Sequence, residues 1–281
     1  MSSVVARARQ LPRQTVGRSK PVIRRVWRRA VLGRSVDETA TADGRTAVVV
    51  APHPDDETLG CGATIARKRA AGTDVVVVVV TDGRHSHRSE VLSPDALAAV
   101  RADEARAACA RLGVAPDRLH LLGVEEGRVA EEHALVTRRL AEIIDRAAPD
   151  DVLTTCAADW HVDHQAVSAA TREAVAAARR VPRLLEFPIW FWVDGPWTID
   201  PGGRQRIWPY LRDPFRAGRI RTVAVQTGDH LVAKRAAVGE YRSQTTNITG
   251  EPGWAVMDDE LLSLFLGGVE IFLPVGIPGA R

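Results

Sequence analysis

The sequence has few cysteines and no long apolar segment. Its three cysteines, Cys61, Cys109 and Cys156, form no Cys-x-x-Cys pair and no even set. This pattern argues against a disulfide framework and favours buried thiols in a reducing compartment. The longest purely apolar run, Val75 to Val80, is far shorter than the roughly 18 residues that cross a bilayer. We therefore expect a cytoplasmic protein without a transmembrane helix.

Acidic residues are absent from residues 1–34, which contain ten Arg or Lys. The rest of the chain holds 28 basic and 35 acidic residues, a net charge of about −7. The overall charge of +3 and the pI near 9.0 thus hide a basic segment joined to an acidic body. Because the positive charge is confined to one end, we do not expect a nucleic-acid partner.

Residues 1–44 are predicted to form a basic N-terminal arm. Residues 1–20 have the composition of a disordered segment. Residues 21–32 have the spacing of a short amphipathic helix, with arginines opposite an apolar face. Its apolar positions are Val22, Ile23, Val26, Trp27, Ala30 and Val31. Such a helix lies on an anionic surface, such as the inner face of the membrane, or packs on its own acidic domain, and both interpretations stay open. It lacks the apolar core of a secretory signal.

Residues 45–281 are predicted to form one α/β domain. Apolar strands alternate with amphipathic helices, which is typical of a parallel sheet covered on both faces. The predicted strands are 46–52, 74–81, 118–122 and 151–156, and the helices between them are 58–71, 94–112 and 131–147. No Gly-x-Gly-x-x-Gly follows the first strand, so the phosphate-binding loop of a dinucleotide site is missing.

The composition changes after about residue 185. Four of the seven tryptophans, Trp190, Trp192, Trp197 and Trp208, lie within some 20 residues that also contain proline and glycine. We expect a long excursion from the sheet here, whose aromatics form either a buried subdomain core or part of a ligand pocket. Strand 221–225, helices 229–241 and 257–266, and strand 268–273 are predicted to complete the domain.

Two polar clusters follow predicted strands. His53-Pro54-Asp55-Asp56-Glu57 follows the first strand, and Asp159-Trp160-His161-Val162-Asp163-His164 follows strand 151–156. Ligands of open α/β sheets bind at such strand ends. If the two strands are neighbours, His53, Asp56 and His164 form a three-ligand site with an open position, the pattern of a catalytic zinc. A spare carboxylate beside them suits a general base, although either aspartate could instead cap the following helix.

These motifs resemble the two signatures of the PIG-L/LmbE deacetylase family. The first is Ala51-Pro52-His53-Pro54-Asp55-Asp56-Glu57 with Leu59-Gly60-Cys61-Gly62, and the second is His161-Val162-Asp163-His164. The resemblance covers roughly residues 46–175. It implies a Rossmann-like three-layer sandwich with a mostly parallel central sheet, interrupted here by the Trp-rich excursion after the fifth strand region. It also implies removal of acetyl groups from N-acetylated amino sugars with one divalent metal, usually zinc.

The resemblance implies a role for each matching residue. His53, Asp56 and His164 are the expected metal ligands, and Asp55 is the expected general base. His161 is expected to face the developing oxyanion or to help protonate the leaving amine. Some members have a tyrosine two residues before this histidine, but here the position is Asp159, so no tyrosine contribution is expected.

The expected function is metal-dependent hydrolysis of the N-acetyl group of an acetamido-sugar or of a glycoside that contains one. Two alternatives stay open: an amidase for a thiol conjugate or an acylated antibiotic precursor, and a non-catalytic module that binds a sugar or a nucleotide. Asp163 either orients a histidine or begins the helix, and Glu57 either supports the site or caps the helix. The loop histidines His85 and His87 are expected at a rim or in solvent, and Arg101 either binds substrate or forms a salt bridge.

Overall fold

A computed structural model of the protein describes residues 20–195 and 220–276, with side chains from residue 24 onward. These residues contain eight strands: β1 (Val36–Asp37), β2 (Ala47–Ala51), β3 (Val75–Thr81), β4 (Leu119–Val124), β5 (Asp151–Thr155), β6 (Arg183–Phe187), β7 (Val223–Gln226) and β8 (Val269–Val275). They also contain ten α-helices: α1 (Lys20–Leu32), α2 (Thr39–Ala42), α3 (Asp56–Ala70), α4 (Pro94–Arg111), α5 (His133–Ala147), α6 (Val162–Ala177), α7 (Trp190–Asp194), α8 (His230–Glu240), α9 (Arg242–Thr245) and α10 (Asp259–Ser263).

All eight strands form one sheet in the order β1-β7-β8-β6-β5-β2-β3-β4. Every neighbouring pair is parallel except the two that involve β8, which runs antiparallel to β6 and β7. The predicted mostly parallel α/β sheet is therefore confirmed. β2 pairs with β3 on one side and β5 on the other, so the strand order reverses direction at β2. The loops that follow β2 and β5 consequently lie side by side, where such sheets bind their ligands.

Helices cover both faces of this sheet. Alternate valines of β2 and β3 point to opposite sides, so that Val49 and Val77 lie in one core and Val48 and Val78 in the other. The first core contains side chains of α3, α4 and α8, and the second contains side chains of α5 and α6. All four valines are fully buried, and burying each stabilises the fold by about 1.5–3 kcal/mol. The three-layer prediction is confirmed.

The strand β6 was not predicted. Its residues fall where the sequence was expected to leave the sheet, yet β6 lies between β5 and β8. Charged residues interrupt its apolar pattern, which hides it from a periodicity argument. Glu186 is nevertheless buried because Ser168 donates a hydrogen bond to it over 2.9 Å and Arg172 forms an ion pair with it. The excursion proper begins with α7, and Trp197 and Trp208 lie outside the described residues.

The helix α1 of the predicted arm packs on the domain. Trp27 is buried, with ring centroids 5.4 Å from Phe191 and 5.6 Å from Trp192. Arg28 donates hydrogen bonds to the carbonyl oxygens of Trp192 (2.8 Å) and Val193 (2.9 Å). This contact favours the interpretation that α1 packs on its own domain. None of the described helices is long and apolar enough to cross a membrane.

Part of the predicted arm belongs to the sheet. Strand β1 pairs in parallel with β7, and α2 follows it directly. Residues 36–42, which lie within the predicted arm, thus contact the sheet of the domain. Two residues of strand are too short to give a recognisable alternation, because strand prediction needs about four or more residues. The division into arm and domain at residue 44 remains a prediction.

Candidate active site

The loop after β2 has a strained backbone at Asp55. Its φ of 129° is in the region that L-residues rarely adopt, and such a conformation costs roughly 1–3 kcal/mol. Contacts on several sides hold it. The backbone N–H groups of Thr58 and Leu59 donate to the Asp55 carbonyl oxygen over 3.0 and 2.8 Å. The buried Arg101 donates through Nη2 to the Asp55 carboxylate (3.1 Å) and to the Pro54 carbonyl. Arg101 therefore supports the loop from inside the protein.

Three candidate ligand atoms form a nearly equilateral triangle. His53 Nδ1 lies 3.2 Å from Asp56 Oδ2 and 3.3 Å from His164 Nε2, and His164 Nε2 lies 3.2 Å from Asp56 Oδ2. A tetrahedral zinc with bonds of about 2.0–2.1 Å requires ligand separations of about 3.3 Å. These residues thus have the donor types and the spacing that fit a zinc ion. The two sequence-distant clusters lie together because β2 and β5 are neighbours.

Two buried aspartates orient the histidines of this triangle. His164 Nδ1 lies 2.8 Å from Asp159 Oδ2, and His53 Nε2 lies 3.2 Å from Asp163 Oδ2. An ionised carboxylate can only accept, so those nitrogens carry the protons. The opposite nitrogens form the triangle beside Asp56, and it is their lone pairs that would bind a metal ion in place of a second proton. Carboxylate–histidine–metal arrangements of this kind fix the tautomer and raise ligand basicity.

From the sequence, Asp163 was expected either to begin the helix or to orient a histidine. In the structure it lies in the first turn of α6 and also contacts His53. Asp159 is a residue that sequence reasoning missed. It is fully buried, and the backbone N–H of Phe191 donates to its Oδ1 over 2.7 Å. Its position five residues before His164 was the available signal, but an aspartate after a strand is usually part of a solvated turn or a helix cap.

His161 lies at the start of α6, beside the triangle. Its ring centroid is 4.7 Å from that of His53, and its Nδ1 accepts a hydrogen bond from the Asp163 backbone N–H over 3.3 Å. One ring nitrogen from each of His53, His161 and His164 lies within 4.8 Å of the other two, so the three histidines form a second candidate donor set. Asp56 makes the tighter triangle, and the Nδ1 hydrogen bond of His161 leaves its Nε2 as the proton-bearing nitrogen.

The electrostatics of the site differ from residue to residue. Burial raises the pKa of Asp55 to about 7, against the opposing effect of Arg101. Burial acts on Asp56 in the same direction, but His164 and His53 hold the pKa of Asp56 well below its usual range. Burial and the neighbouring His53 and His164 lower the pKa of His161 to about 3. The adjacent aspartates thus have opposite preferences for a proton, which suits a division between base and ligand.

The carboxylates also favour a positive charge inside the triangle. Burial opposes protonation of His53, but hydrogen bonds to Asp163 and Asp56 raise its pKa to about 10. Burial likewise opposes protonation of His164, but Asp56 and Asp159 raise its pKa to about 9. The negative field that favours protons on these two rings favours a bound cation as well.

Glu57 supports the loop from behind. Its side chain is fully buried, and its Oε1 accepts hydrogen bonds from Tyr241 and Thr58, each over 2.5 Å. Its Oε2 accepts from the backbone N–H of Asp55 over 3.2 Å. The supporting interpretation of Glu57 therefore agrees with the structure. Tyr241, which the sequence analysis did not assign to the site, anchors this carboxylate from the end of α8.

A pocket of about 430 Å³ opens above the triangle. Its polar lining comes from the loop after β3 and from neighbouring elements: His85, Ser86, His87, Arg101, Glu126 and Gln244. His87 stacks on Trp254 with 4.2 Å between ring centroids, and its Nε2 lies 2.6 Å from the Ala255 carbonyl oxygen. The expected place of His85 and His87 at a rim agrees with this arrangement. Trp160 and Trp190 also line the pocket, with ring centroids 4.9 Å apart.

A three-donor triangle with a separate carboxylate, at the switch point of a parallel sheet, is typical of a metal-dependent hydrolase. Residues 48–175 match the sequence model of the PIG-L family, described as GlcNAc-PI de-N-acetylase. A protein of Actinosynnema mirum, described as a 1D-myo-inositol 2-acetamido-2-deoxy-alpha-D-glucopyranoside deacetylase, is 32% identical over 249 residues. The match covers 75% of this chain and 83% of that protein. The chain belongs to the PIG-L family of deacetylases.

Solved structures share the fold. The N,N'-diacetylchitobiose deacetylase of Pyrococcus horikoshii superimposes with a TM-score of 0.61 at 19% identity, covering 93% of this chain and 94% of that one. The 4-carboxy-2-hydroxymuconate hydratase of Pseudomonas putida superimposes with a TM-score of 0.59 at 16% identity, covering 84% of this chain and 98% of that one. Since a hydratase also has this fold, the fold does not decide the reaction. The reaction depends instead on the residues of the site.

Proposed function

We propose that the protein is a zinc-dependent N-deacetylase that hydrolyses the acetamido group of an amino sugar or of a glycoside that contains one. The proposal rests mainly on the triangle of His53, Asp56 and His164, with the separate carboxylate of Asp55 beside it. One zinc ion per chain is the proposed cofactor. Membership of the PIG-L family and the deacetylase activity named for the Actinosynnema mirum relative support this proposal.

Zinc held by His53, Asp56 and His164 would polarise the amide carbonyl and lower the pKa of water to about 7. Asp55 takes the proton from the water that attacks the amide carbon. Burial, which acts to raise the pKa of Asp55, favours proton uptake by this carboxylate and so suits a general base. Asp55 then returns the proton to the amide nitrogen, so that an amine leaves.

His161 is the proposed hydrogen-bond donor to the developing oxyanion. Burial and the neighbouring histidines lower its pKa to about 3, so the ring is neutral at pH 7. Its Nδ1 accepts a hydrogen bond from the Asp163 backbone, which leaves the proton on Nε2. A neutral donor in a fixed orientation stabilises charge that forms only in the transition state.

The proposed substrate is a small N-acetyl amino sugar, with Trp160 and Trp190 available to stack on its ring. An amidase for another acylated amine would need the same metal and base. The proposal of a sugar substrate over such an amine therefore rests on Trp160 and Trp190 in the pocket and on the deacetylase described for the relative. A non-catalytic sugar- or nucleotide-binding module would not need Asp55, and the strained, well-supported backbone at this residue favours a catalytic role.

A cytoplasmic location, with peripheral membrane contact through residues 21–32, is a further part of the proposal. In α1, Arg25 and Arg29 are exposed, and Val26 is 61% exposed between them. Basic residues next to an exposed apolar side chain suit the surface of an anionic membrane. The cytoplasmic location rests on the three buried, unpaired cysteines.

The deciding experiment incubates zinc-loaded protein with a panel of N-acetylated sugars and detects the released amine. The expected result is amine release from at least one acetamido-sugar glycoside, lost when a chelator removes the metal. The Asp55→Asn variant is the control for contaminating activity. Release that persists equally in that variant, or hydrolysis only of acylated amines without a sugar, would refute the proposal.

A further inference from the structure

The basic helix α1 lies directly behind one side of the pocket. Two tryptophans on that side line the pocket, Trp190 in α7 and Trp160 in the loop after β5. We call these two residues the tryptophan wall. Helix α7 has only five residues, and a helix this short is not stable without tertiary contacts. The position of the tryptophan wall therefore depends on what holds α7.

Arginines of α1 bind the C-terminal end of α7. Arg28 Nε donates a hydrogen bond to the Trp192 carbonyl oxygen over 2.8 Å, and Arg28 Nη2 donates to the Val193 carbonyl oxygen over 2.9 Å. Arg24 Nη1 donates to the same Val193 oxygen over 3.4 Å. The last carbonyl groups of a helix lack donors within the helix, and basic side chains commonly supply them. A planar guanidinium that donates to two carbonyl groups at once fixes the direction of the helix end as well as its position.

Apolar packing joins the same two helices. Trp27 of α1 is 8% exposed, and its ring centroid lies 5.4 Å from that of Phe191 and 5.6 Å from that of Trp192. Together with Val31 of α1 and Ile271 of β8, these rings belong to a small core of their own. Because close-packed groups transmit a displacement to their neighbours, a shift of α1 would also shift α7.

Asp194, at the end of α7, connects this pair of helices to the rest of the tryptophan wall. Trp160 Nε1 donates to Asp194 Oδ2 over 2.9 Å, and Arg24 Nη1 lies 3.9 Å from Asp194 Oδ1. The ring of Trp160 lies 4.9 Å from that of Trp190 and 5.8 Å from that of His161, measured between centroids. The Arg24 ion pair is long, so we expect it to contribute less than the hydrogen bonds to the carbonyl groups.

The other end of α7 is held from the metal side of the site. Asp159 accepts hydrogen bonds from the backbone N–H groups of Ile189 (3.3 Å) and Phe191 (2.7 Å), and the same carboxylate orients His164. Arg28 contacts only the C-terminal end of α7 among these elements. Removing the Arg28 side chain should consequently loosen the tryptophan wall and leave the proposed zinc ligands in place.

We propose that α1 is a structural part of the substrate pocket, in which Arg28, and to a smaller extent Arg24, are positioning residues that hold the tryptophan wall against the sugar ring. The helix then has two faces with separate roles, since Arg25 and Arg29 on the opposite face are exposed. The inference rests on the proposed function for the nature of the ligand. The hold of α1 on α7 can be measured without any turnover.

Hydrogen–deuterium exchange of the zinc-loaded full chain tests this hold. The backbone N–H of Gly195 donates to the Phe191 carbonyl oxygen over 2.9 Å, and exchange of such amide protons reports local opening. We expect Arg28→Ala to speed exchange in residues 189–195 by at least about tenfold. The control Arg25→Ala makes the same substitution at an exposed position of α1 and should change this exchange less than about twofold.

Steady-state kinetics tests whether the substrate depends on this hold. Loss of binding that is equal in the ground state and the transition state raises KM and leaves kcat unchanged. For an acetamido-sugar glycoside that the wild-type protein hydrolyses, we expect Arg28→Ala to raise KM by at least about tenfold, or about 1.4 kcal/mol. The value of kcat should stay within about threefold and the zinc content should not change. A general loss of folded protein would instead lower the apparent kcat.

Two further variants complete the series. Arg28→Lys keeps the positive charge and N–H donors, so it should restore most of the wild-type KM, while Arg25→Ala should match the wild-type protein throughout. Thermal melting checks the fold of each variant. If Arg28→Ala does not fold, Arg28→Gln takes its place, because glutamine retains an N–H donor but cannot donate to both carbonyl groups from a planar guanidinium.

Unchanged exchange in residues 189–195, or an unchanged KM, in the folded Arg28 variant would overturn the inference. A loss of zinc would overturn it too, because Arg28 would then act through the metal. If the wild-type protein hydrolyses no acetamido-sugar, the proposed function fails, and calorimetry with methyl N-acetyl-β-glucosaminide replaces kinetics. At least about tenfold weaker binding in the Arg28 variant, with faster exchange in α7, would then still support the role of α1. Equal binding, or none by the wild-type protein, would overturn it.

Discussion

The two loops that build the candidate site differ in how they are held. The loop after β2 carries Asp55 at a φ of 129° and is supported from behind by Arg101 and Glu57. The loop after β5 has ordinary backbone angles at His161, and its Asp159 is held by backbone amides of the segment leading into α7. The proposed proton carrier thus lies on a strained segment, while the other half of the site is relaxed. The strained loop carries the proposed base together with two proposed ligands, His53 and Asp56, whereas the relaxed loop carries His164 and the proposed oxyanion donor His161.

The largest effects should come from removing a ligand from either loop. His53→Ala and His164→Ala each leave two of the three proposed protein ligands, so we expect both to lose bound zinc and measurable activity. Elemental analysis of purified, folded variants provides the measurement. The control is Val181→Thr, at a 42% exposed position outside the pocket. Full zinc occupancy in both alanine variants would refute the triangle. In that case Asp56→Ala and His161→Ala would show which other donors hold the metal.

The next largest effect should follow from Asp55→Asn, which changes the strained loop without removing a proposed ligand. The amide cannot accept a proton from water, and a positioned base typically contributes about 10²–10⁴-fold. We expect turnover to fall at least about 100-fold, with zinc content near wild type and substrate Kd changed by less than about tenfold. Asn is nearly isosteric with Asp and still polar, so the fold should persist. Loss of zinc together with activity would mean that Asp55 and Asp56 have exchanged roles.

A smaller effect is expected from the two orienting carboxylates. Asp159→Asn and Asp163→Asn remove the charged acceptors of His164 and His53, and loss of such partners typically costs about 10–100-fold in metal affinity. Competition for zinc with a chelating dye measures this affinity. Asp145→Asn, near the end of α5 and outside the pocket, should leave the zinc affinity unchanged. Equal zinc affinity in all three variants would show that neither aspartate orients a ligand.

The smallest effect should come from the exposed face of α1. Arg25→Glu/Arg29→Glu reverses two exposed charges, each worth about 1 kcal/mol at an anionic surface, and should weaken binding to vesicles containing phosphatidylglycerol by at least about tenfold. Turnover of a soluble substrate should change less than about threefold, because Arg24, Trp27 and Arg28 make the contacts to α7. Vesicle co-sedimentation at low and high salt measures this binding. The charge-matched control is Arg138→Glu/Arg139→Glu on α5. Equal loss of vesicle binding in the two double variants would mean that the net charge of the protein, and not the position of the arginines on α1, determines the binding.

Local pattern was enough to predict a large part of this protein. The valine runs of β2 and β3 and the helical spacing of α3 to α5 identified the parallel sheet, since side-chain period and residue type are properties of short segments. The residue types of His53, Asp55, Asp56 and His164 indicated a metal and a base for the same reason. Their positions after strands predicted one shared edge of the sheet.

Only the tertiary structure decided which distant groups meet. The pairing of β2 with β5 brings His53 to within 3.3 Å of His164, which is 111 residues away. The places of Asp159, Arg101 and Tyr241 depend on how α7, α4 and α8 pack, and the sequence pattern of each segment is equally compatible with an ordinary surface or core position. Strand β6 and the docking of α1 were missed or left open for the same physical reason. Short, charge-interrupted or amphipathic segments find their partners through long-range packing, and local periodicity carries no information about which surface that will be.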